Sequence, residues 1–289
     1  MTDATIAMIE HFSALTGRYD ALICDVWGVL HNGVRVSRAA NVALAEARRR
    51  GLAVCMLTNA PRSPADVARY IDHLGGAPDA WDWIVSSGGA TRELMAERGA
   101  APFHHIGPQR DTSIFDGLAA RRTGLDAADY VLCTGLANDE TETAEDYRAE
   151  LAAMAARDLE MICANPDMVV ERGHRLIPCA GAIADLYETM GGRVLWVGKP
   201  HPHVYALARS KIELTLGRRV DKARILAIGD ALRTDVAGAH AFGIDSLFVL
   251  DGIHSGEMGA GRDFSSAAVN AFFADAAVAP TYVTPVLAD

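Results

Sequence analysis

The sequence is short of lysine, of any cysteine pattern and of long apolar runs. Only Lys199, Lys211 and Lys222 stand among its 27 basic residues; arginine supplies the rest. Acidic residues number 37, so the formal net charge is −10. A chain this acidic carries no general electrostatic footprint for nucleic acid or an anionic membrane, and any polyanion would have to be held locally. The five cysteines, Cys24, Cys55, Cys133, Cys163 and Cys179, are odd in number and lack CxxC spacing. That excludes a disulfide framework and suits a reducing compartment. No apolar run approaches the roughly 18–20 residues of a membrane helix. The opening MTDATIAMIEHF lacks the basic stretch and long apolar core of a signal peptide. A cytoplasmic protein is expected, with no short-period repeat or low-complexity tract.

What is present is ordinary globular composition: 289 residues, half of them hydrophobic and 22% charged. That length allows one large domain or two smaller ones. Short apolar runs at 21–24, 52–57, 83–85, 224–228 and 246–250 read as strands. Between them lie helical stretches: one from Ser37 to about Arg50, one from about Pro64 to Leu74, and one over 234–242 closed by Gly243. Residues 86–89 read as a Ser-Gly turn. Alternating buried strands and helices predict a parallel sheet covered on both faces. The middle of the chain breaks near 99–102. It continues with apolar runs at 103–106, 130–132 and 159–164 and the acidic run 139–146, a second, smaller α/β unit. The expected division is a core of 1–99 plus 189–289 and an insert of 100–188. The last 30 residues, rich in alanine, give no clear pattern.

Four polar clusters follow predicted core elements: DVWGVLHNG at 25–33, TNA at 58–60, VGKPHP at 197–202 after the short run 194–197, and GDALRTDVAGAHAFG at 229–243. In open parallel sheets, ligands bind beyond the carboxyl ends of strands. These residue types suit phosphoryl transfer, which needs a nucleophile, a divalent cation and donors for the phosphoryl oxygens. Asp25 can be the nucleophile. Asp25 and Asp230 can ligate Mg²⁺, a hard cation that prefers oxygen. Asp235 can hold a metal-bound water or orient Lys199, or simply pair with Arg233. Thr58 and Lys199 can hold phosphoryl oxygens.

The ordered set Asp25, Thr58, Lys199 and Asp230 with Asp235 resembles the haloacid dehalogenase superfamily. GKP, ANPD at 164–167 and GDALRTD make it similar to the class with a C2a cap, which includes NagD-type nucleotide and sugar phosphatases and pyridoxal phosphate phosphatases. The resemblance covers about residues 20–255. It implies a Rossmann-like three-layer α/β/α core with a parallel sheet and an inserted α/β cap. It also implies Mg²⁺ as cofactor and hydrolysis of a small phosphorylated metabolite through an aspartyl phosphate on Asp25. Asp25, Thr58 and Lys199 would be catalytic. Trp27, Gly28, Asn59, Asn165 and Asp167 would face substrate. Asp25, the backbone carbonyl of Trp27, Asp230 and Asp235 would serve the metal. A homodimer formed through the cap is compatible with it.

One position departs from the family pattern. The first motif is usually DxDG, whose second aspartate is the general acid and base; here it is Trp27, whose indole N–H only donates. His31 lies just beyond as a candidate substitute. The departure keeps two further readings open: a binding protein that does not turn its ligand over, and a phosphotransferase or phosphomutase. The pairs His104–His105 and His201/His203 lack the spacing of a zinc site.

Overall fold

The computed structural model describes residues 6–172, 175–254, 256 and 264–289, so the first five residues of the acidic N-terminal stretch lie outside it. Its strands in chain order are β1 (Ala7–Met8), β2 (Ala21–Cys24), β3 (Ala53–Thr58), β4 (Trp83–Ser86), β5 (Pro102–Ile106), β6 (Arg121–Arg122) and β7 (Tyr130–Cys133). They continue with β8 (Glu160–Cys163), β9 (Val169–Arg172), β10 (Arg175–Pro178), β11 (Arg193–Trp196), β12 (Ile225–Gly229), β13 (Asp245–Val249) and β14 (Tyr282–Thr284). The chain divides into two compact units.

The first unit comprises 1–57, 68–85 and 200–289. Its sheet has the order β1-β14-β13-β12-β2-β3-β4. β12, β2 and β3 pair in parallel, with Ala227 opposite Ile23 and Ile23 opposite Cys55. All three are buried along their whole length. Continuous apolar strands of this kind belong at the centre of a parallel sheet covered on both faces, as the sequence pattern predicts. Cys24 and Cys55 pack there as free buried thiols. Helix Arg38–Arg49 is opened by Ser37, whose hydroxyl accepts the Ala40 N–H at 3.3 Å. Helix Pro202–Leu216 follows the GKP segment. After β12 the chain makes a wide helical turn, Leu232–Val236, before helix Ala237–Phe242.

The C-terminal stretch that the sequence left unread has regular structure. Ser265 caps helix Ser266–Phe273, accepting the Ala268 N–H at 3.3 Å. Beyond it β14 inserts between β13 and β1. Phe273 meets Phe248 of β13 edge to face at 5.3 Å. A three-residue strand whose partners lie far away in sequence has no local signature, since only pairing makes it a strand.

The second unit comprises 58–67 and 86–199. A five-stranded sheet of order β11-β8-β7-β5-β6 is joined by an antiparallel hairpin of β9 and β10. Its core gathers Val131, Met161, Ile183 and Tyr187, and the Tyr187 hydroxyl donates to the Leu159 carbonyl at 2.6 Å. Arg110 and Arg172 both donate to Asp139 Oδ2, at 2.6 and 2.8 Å, tying β9 of the hairpin to the loop after β5.

Two local expectations are corrected here. Residues 86–89 are the start of helix Ser87–Glu97, not a turn, with Ser86 as its N-cap accepting the Gly89 N–H at 3.0 Å. A glycine is needed at 88 because a Cβ there would lie 2.2 Å from the Arg62 nitrogen. The run 194–197 is also not an element of the core sheet. It forms β11, which pairs with β8 (Val194 opposite Met161). The observed unit therefore runs past residue 188 to Lys199, and it takes in the segment from Ser86, ahead of residue 100. A short apolar run does not say which sheet it will join.

Candidate active site

Three adjacent parallel strands run out into polar residues at one edge of the main sheet. β2 is followed by Asp25, β3 ends at Thr58, and β12 is followed by Asp230. Within the first unit, carboxylate oxygens of Asp25, Asp230 and Asp235 all lie within 4.8 Å of one another, and all three residues are buried. Among the described residues this is the one group of three or more such side chains that could hold a metal.

The backbone is shaped around these carboxylates. A Cβ on Gly28, whose φ is +92°, would fall 2.0 Å from Asp230 Oδ2. One on Gly252 would fall 2.2 Å from the Asp230 Cβ, and one on Gly229 would fall 2.2 Å from the Asp235 carboxyl carbon. The Ile253 N–H donates to Asp230 Oδ2 at 2.7 Å and the Ala231 N–H to Asp235 Oδ2 at 3.2 Å. The wide turn that presents Asp235 is held by the Tyr205 hydroxyl, which donates to the Asp235 carbonyl at 3.2 Å. Carboxylates buried this close together repel one another, and a bound cation relieves that repulsion. An all-carboxylate set of hard oxygen donors fits Mg²⁺ and is a poor match for softer metals.

Gly252 and Ile253 were not visible as site residues in the sequence. The DG step at 251–252, directly after β13, is the one signal that could have pointed to them.

Trp27 and Gly28 sit in the loop that follows Asp25. The Gly28 N–H donates to the His31 carbonyl at 2.8 Å. Its contribution at Asp230 is therefore its missing side chain. The Trp27 ring lies where a Cβ on Gly33 would be, 2.5 Å from Cζ2. His31, 4% exposed, meets Trp27 edge to face at 4.9 Å and Tyr70 at 5.6 Å. His31 Nδ1 accepts the Gly33 N–H at 3.1 Å, and the Tyr70 hydroxyl donates to the Gly33 carbonyl at 3.1 Å.

The second unit gathers the other expected residues. Asn59 is the hub. Its Nδ2 donates to Asp167 Oδ1 at 2.9 Å and to the Lys199 carbonyl at 3.2 Å, while its Oδ1 accepts the Lys199 N–H at 2.7 Å. Asn165 Oδ1 accepts the Asp167 N–H at 3.1 Å, and Thr58 Oγ1 accepts the Ala60 N–H at 3.2 Å. Thr58, Asn59, Asn165 and Lys199 are all buried. Segments far apart in the chain, TNA, ANPD and GKP, are thus stitched together through one asparagine amide. Asn59 holds the Lys199 backbone and is itself bonded to Asp167, contacts the sequence did not separate from substrate contact.

His104 and His105 make separate contacts. His104 Nε2 contacts Glu150 Oε1 at 2.8 Å, and this bond raises the imidazole above its ordinary range. His105 packs inside with Nε2 at 2.9 Å from Thr134 Oγ1, and burial pushes it down to about 4.

No helix among the described residues is long and apolar enough to cross a membrane. Two family models match the chain: a haloacid dehalogenase-like hydrolase model over residues 22–121 and a HAD-hydrolase-like model over 196–289. The chain is 28% identical over 239 residues to the ribonucleotide monophosphatase NagD of Escherichia coli K12, spanning 81% of this chain and 88% of that protein. It is 28% identical over 281 residues to the D-glycerol 3-phosphate phosphatase of Mycobacterium tuberculosis, spanning 93% and 70%. A solved haloacid dehalogenase-like hydrolase from Brucella suis 1330 superposes with a TM-score of 0.82 at 47% identity, covering 85% of this chain and 94% of that one. With the Asp25, Asp230 and Asp235 carboxylates converging at the strand ends of a parallel sheet, the chain belongs to the haloacid dehalogenase-like hydrolases.

Proposed function

We propose that this protein is a Mg²⁺-dependent phosphatase acting on a small phosphorylated metabolite of the sugar phosphate or nucleotide class. The observation that carries the reading is the convergence of three buried carboxylates at the strand ends. The relatives add to it, being a ribonucleotide monophosphatase and a D-glycerol 3-phosphate phosphatase.

In this reading Asp25 attacks phosphorus in line and becomes an aspartyl phosphate, which water then hydrolyses. Asp230, Asp25 and the Trp27 carbonyl hold the metal, and Asp235 orients its surroundings. Bound Mg²⁺ supplies positive charge against the phosphoryl oxygens. Thr58 and Lys199 take those oxygens as hydroxyl donor and point charge, aided by backbone N–H groups. Asn59 fixes the Lys199 backbone, and Asn165 and Asp167 set the segment that meets the substrate. The second unit serves as the cap that chooses the substrate and excludes water.

The test is phosphate release from an aryl phosphate and a panel of sugar phosphates and nucleotides, with and without Mg²⁺, beside Asp25→Asn. Release that needs Mg²⁺ and disappears in Asp25→Asn is expected. A folded protein that binds Mg²⁺ and a phosphorylated ligand but releases nothing would refute the hydrolase reading in favour of a binding protein. A rate that rises with added alcohol acceptor would instead indicate a phosphotransferase.

A further inference from the structure

The loop between the nucleophile and His31 reads Val26, Trp27, Gly28, Val29 and Leu30. None of these side chains carries a transferable proton near neutral pH. The loop lies against the carboxylate group, since a Cβ on Gly28 would strike Asp230. The one large side chain in it is the Trp27 indole, and it is clamped. It rests on Gly33, whose φ of +78° and missing Cβ make room for the ring. His31 braces it edge-on at 4.9 Å. His31 is itself fixed by the Gly33 N–H at Nδ1 and by the Tyr70 ring, and Tyr70 is tied back to the Gly33 carbonyl. His31 is 4% exposed and acts as the brace of a wall.

We propose that Trp27 is a specificity-determining residue. It presents a fixed apolar wall two residues past the nucleophile and restricts efficient turnover to phosphate esters whose leaving oxygen is stable as an anion, such as aryl, enol, acyl or phosphoanhydride esters. The inference rests on the phosphatase reading and narrows the class given there to members with such a leaving oxygen, such as the phosphoanhydrides of nucleoside polyphosphates.

The chemistry balances without a proton from this loop. A carboxylate oxygen of Asp25 forms a bond to phosphorus and the bond from phosphorus to the leaving oxygen breaks. The leaving group departs as its oxyanion and takes any proton it needs from water. A second water then attacks the phosphorus of the acyl phosphate, releasing inorganic phosphate and restoring the carboxylate. An alkoxide leaves poorly by this route, because protonation by a positioned acid typically contributes about 10²–10⁴-fold. A phenolate, enolate or carboxylate leaves well.

The experiment measures kcat and KM separately on nitrophenyl, halophenyl and phenyl phosphates and then on alkyl phosphates. The same series is run on Trp27→Phe and Trp27→Asp. In the wild type, kcat/KM, which covers the steps up to departure of the leaving oxygen, should fall about 10²-fold or more from the nitrophenyl to the alkyl ester. Trp27→Phe should keep that steep dependence, since it keeps an apolar wall. Trp27→Asp should flatten it by raising kcat/KM on the alkyl esters. Equal kcat/KM across the wild-type series would overturn the inference while leaving the phosphatase reading intact, because some other group would then be protonating the leaving oxygen. A steep series in Trp27→Asp as well, with that variant folded and active on the nitrophenyl ester, would also overturn it. Absence of release from every ester would remove the phosphatase reading and this inference with it.

Discussion

Replacing Asp235 by asparagine should stabilise the metal-free protein and lose part of that advantage when Mg²⁺ binds. The three carboxylates of Asp25, Asp230 and Asp235 lie within 4.8 Å of one another. At that separation and an effective dielectric near 20, each like-charged pair repels by about 3.5 kcal/mol. The substitution removes two of the three pairs and keeps an oxygen to accept the Ala231 N–H. Counter-ions, local relaxation and the carboxylates' other partners absorb most of the released repulsion. The expected net gain for the metal-free protein is about 1–3 kcal/mol, within the usual range of a single substitution. At about 2–4 °C per kcal/mol for a unit of this size, that is several degrees in Tm. With Mg²⁺ the gap narrows. The wild type gains about 2.7 kcal/mol at a hundredfold excess over its Kd, and the variant, with a weaker site, gains less at the same concentration. Thermal unfolding of both proteins, with EDTA and across a Mg²⁺ titration, reads both halves. A metal-free Asp235→Asn no more stable than the metal-free wild type, or an identical rise with Mg²⁺, would refute the argument that these carboxylates form one cation site.

Gly28→Ala places a methyl group 2.0 Å from Asp230 Oδ2 in a backbone conformation with φ of +92°; it should weaken Mg²⁺ binding at least tenfold by calorimetry, a loss of about 1.4 kcal/mol. Tyr187→Phe leaves the buried Leu159 carbonyl without its hydroxyl donor and should cost about 1–3 kcal/mol in urea unfolding of the second unit. Burial holds His105 down at about 4 against an ordinary 6.5. The unfolded chain therefore binds the extra proton first, and the stability this neutral histidine contributes is full above pH 6.5 and lost as pH falls toward 4. His105→Gln should flatten that acid limb in a pH series of melting curves. His104 has the opposite sign. Its bond to Glu150 raises it, so its contribution is full below the ordinary histidine value and is lost as pH rises through the raised one. Glu150→Gln should abolish that alkaline loss.

Much of the core was legible because its signals are local. A fully buried central strand must be an apolar run, so 21–24, 52–57 and 224–228 could be read directly as β2, β3 and β12. A polar residue placed just past such a run stands at the sheet edge, so Asp25, Thr58 and Asp230 were found the same way. Ser37 opened its helix through a hydroxyl bond that spans three residues. The Ser-Gly segment misled because serine and glycine serve turns and helix starts alike, and only the approach of Arg62 to Gly88 decides between them.

By itself, then, the sequence determined the alternation of strand and helix, the carboxylates at the strand ends and the aromatic residue two positions past Asp25. Only the tertiary structure decided that β11 joins β8 and that the C-terminal strand enters the main sheet. It also decided that Gly252 and Ile253 close on Asp230, that Asn59 binds Asp167 and Lys199, and that His31 braces Trp27. Except for His31 and Trp27, whose distant tie is Tyr70, these are pairings between residues tens to hundreds of positions apart. Propensity and periodicity act over one or two turns of chain and carry no record of which distant partner will satisfy a hydrogen bond or fill a missing Cβ.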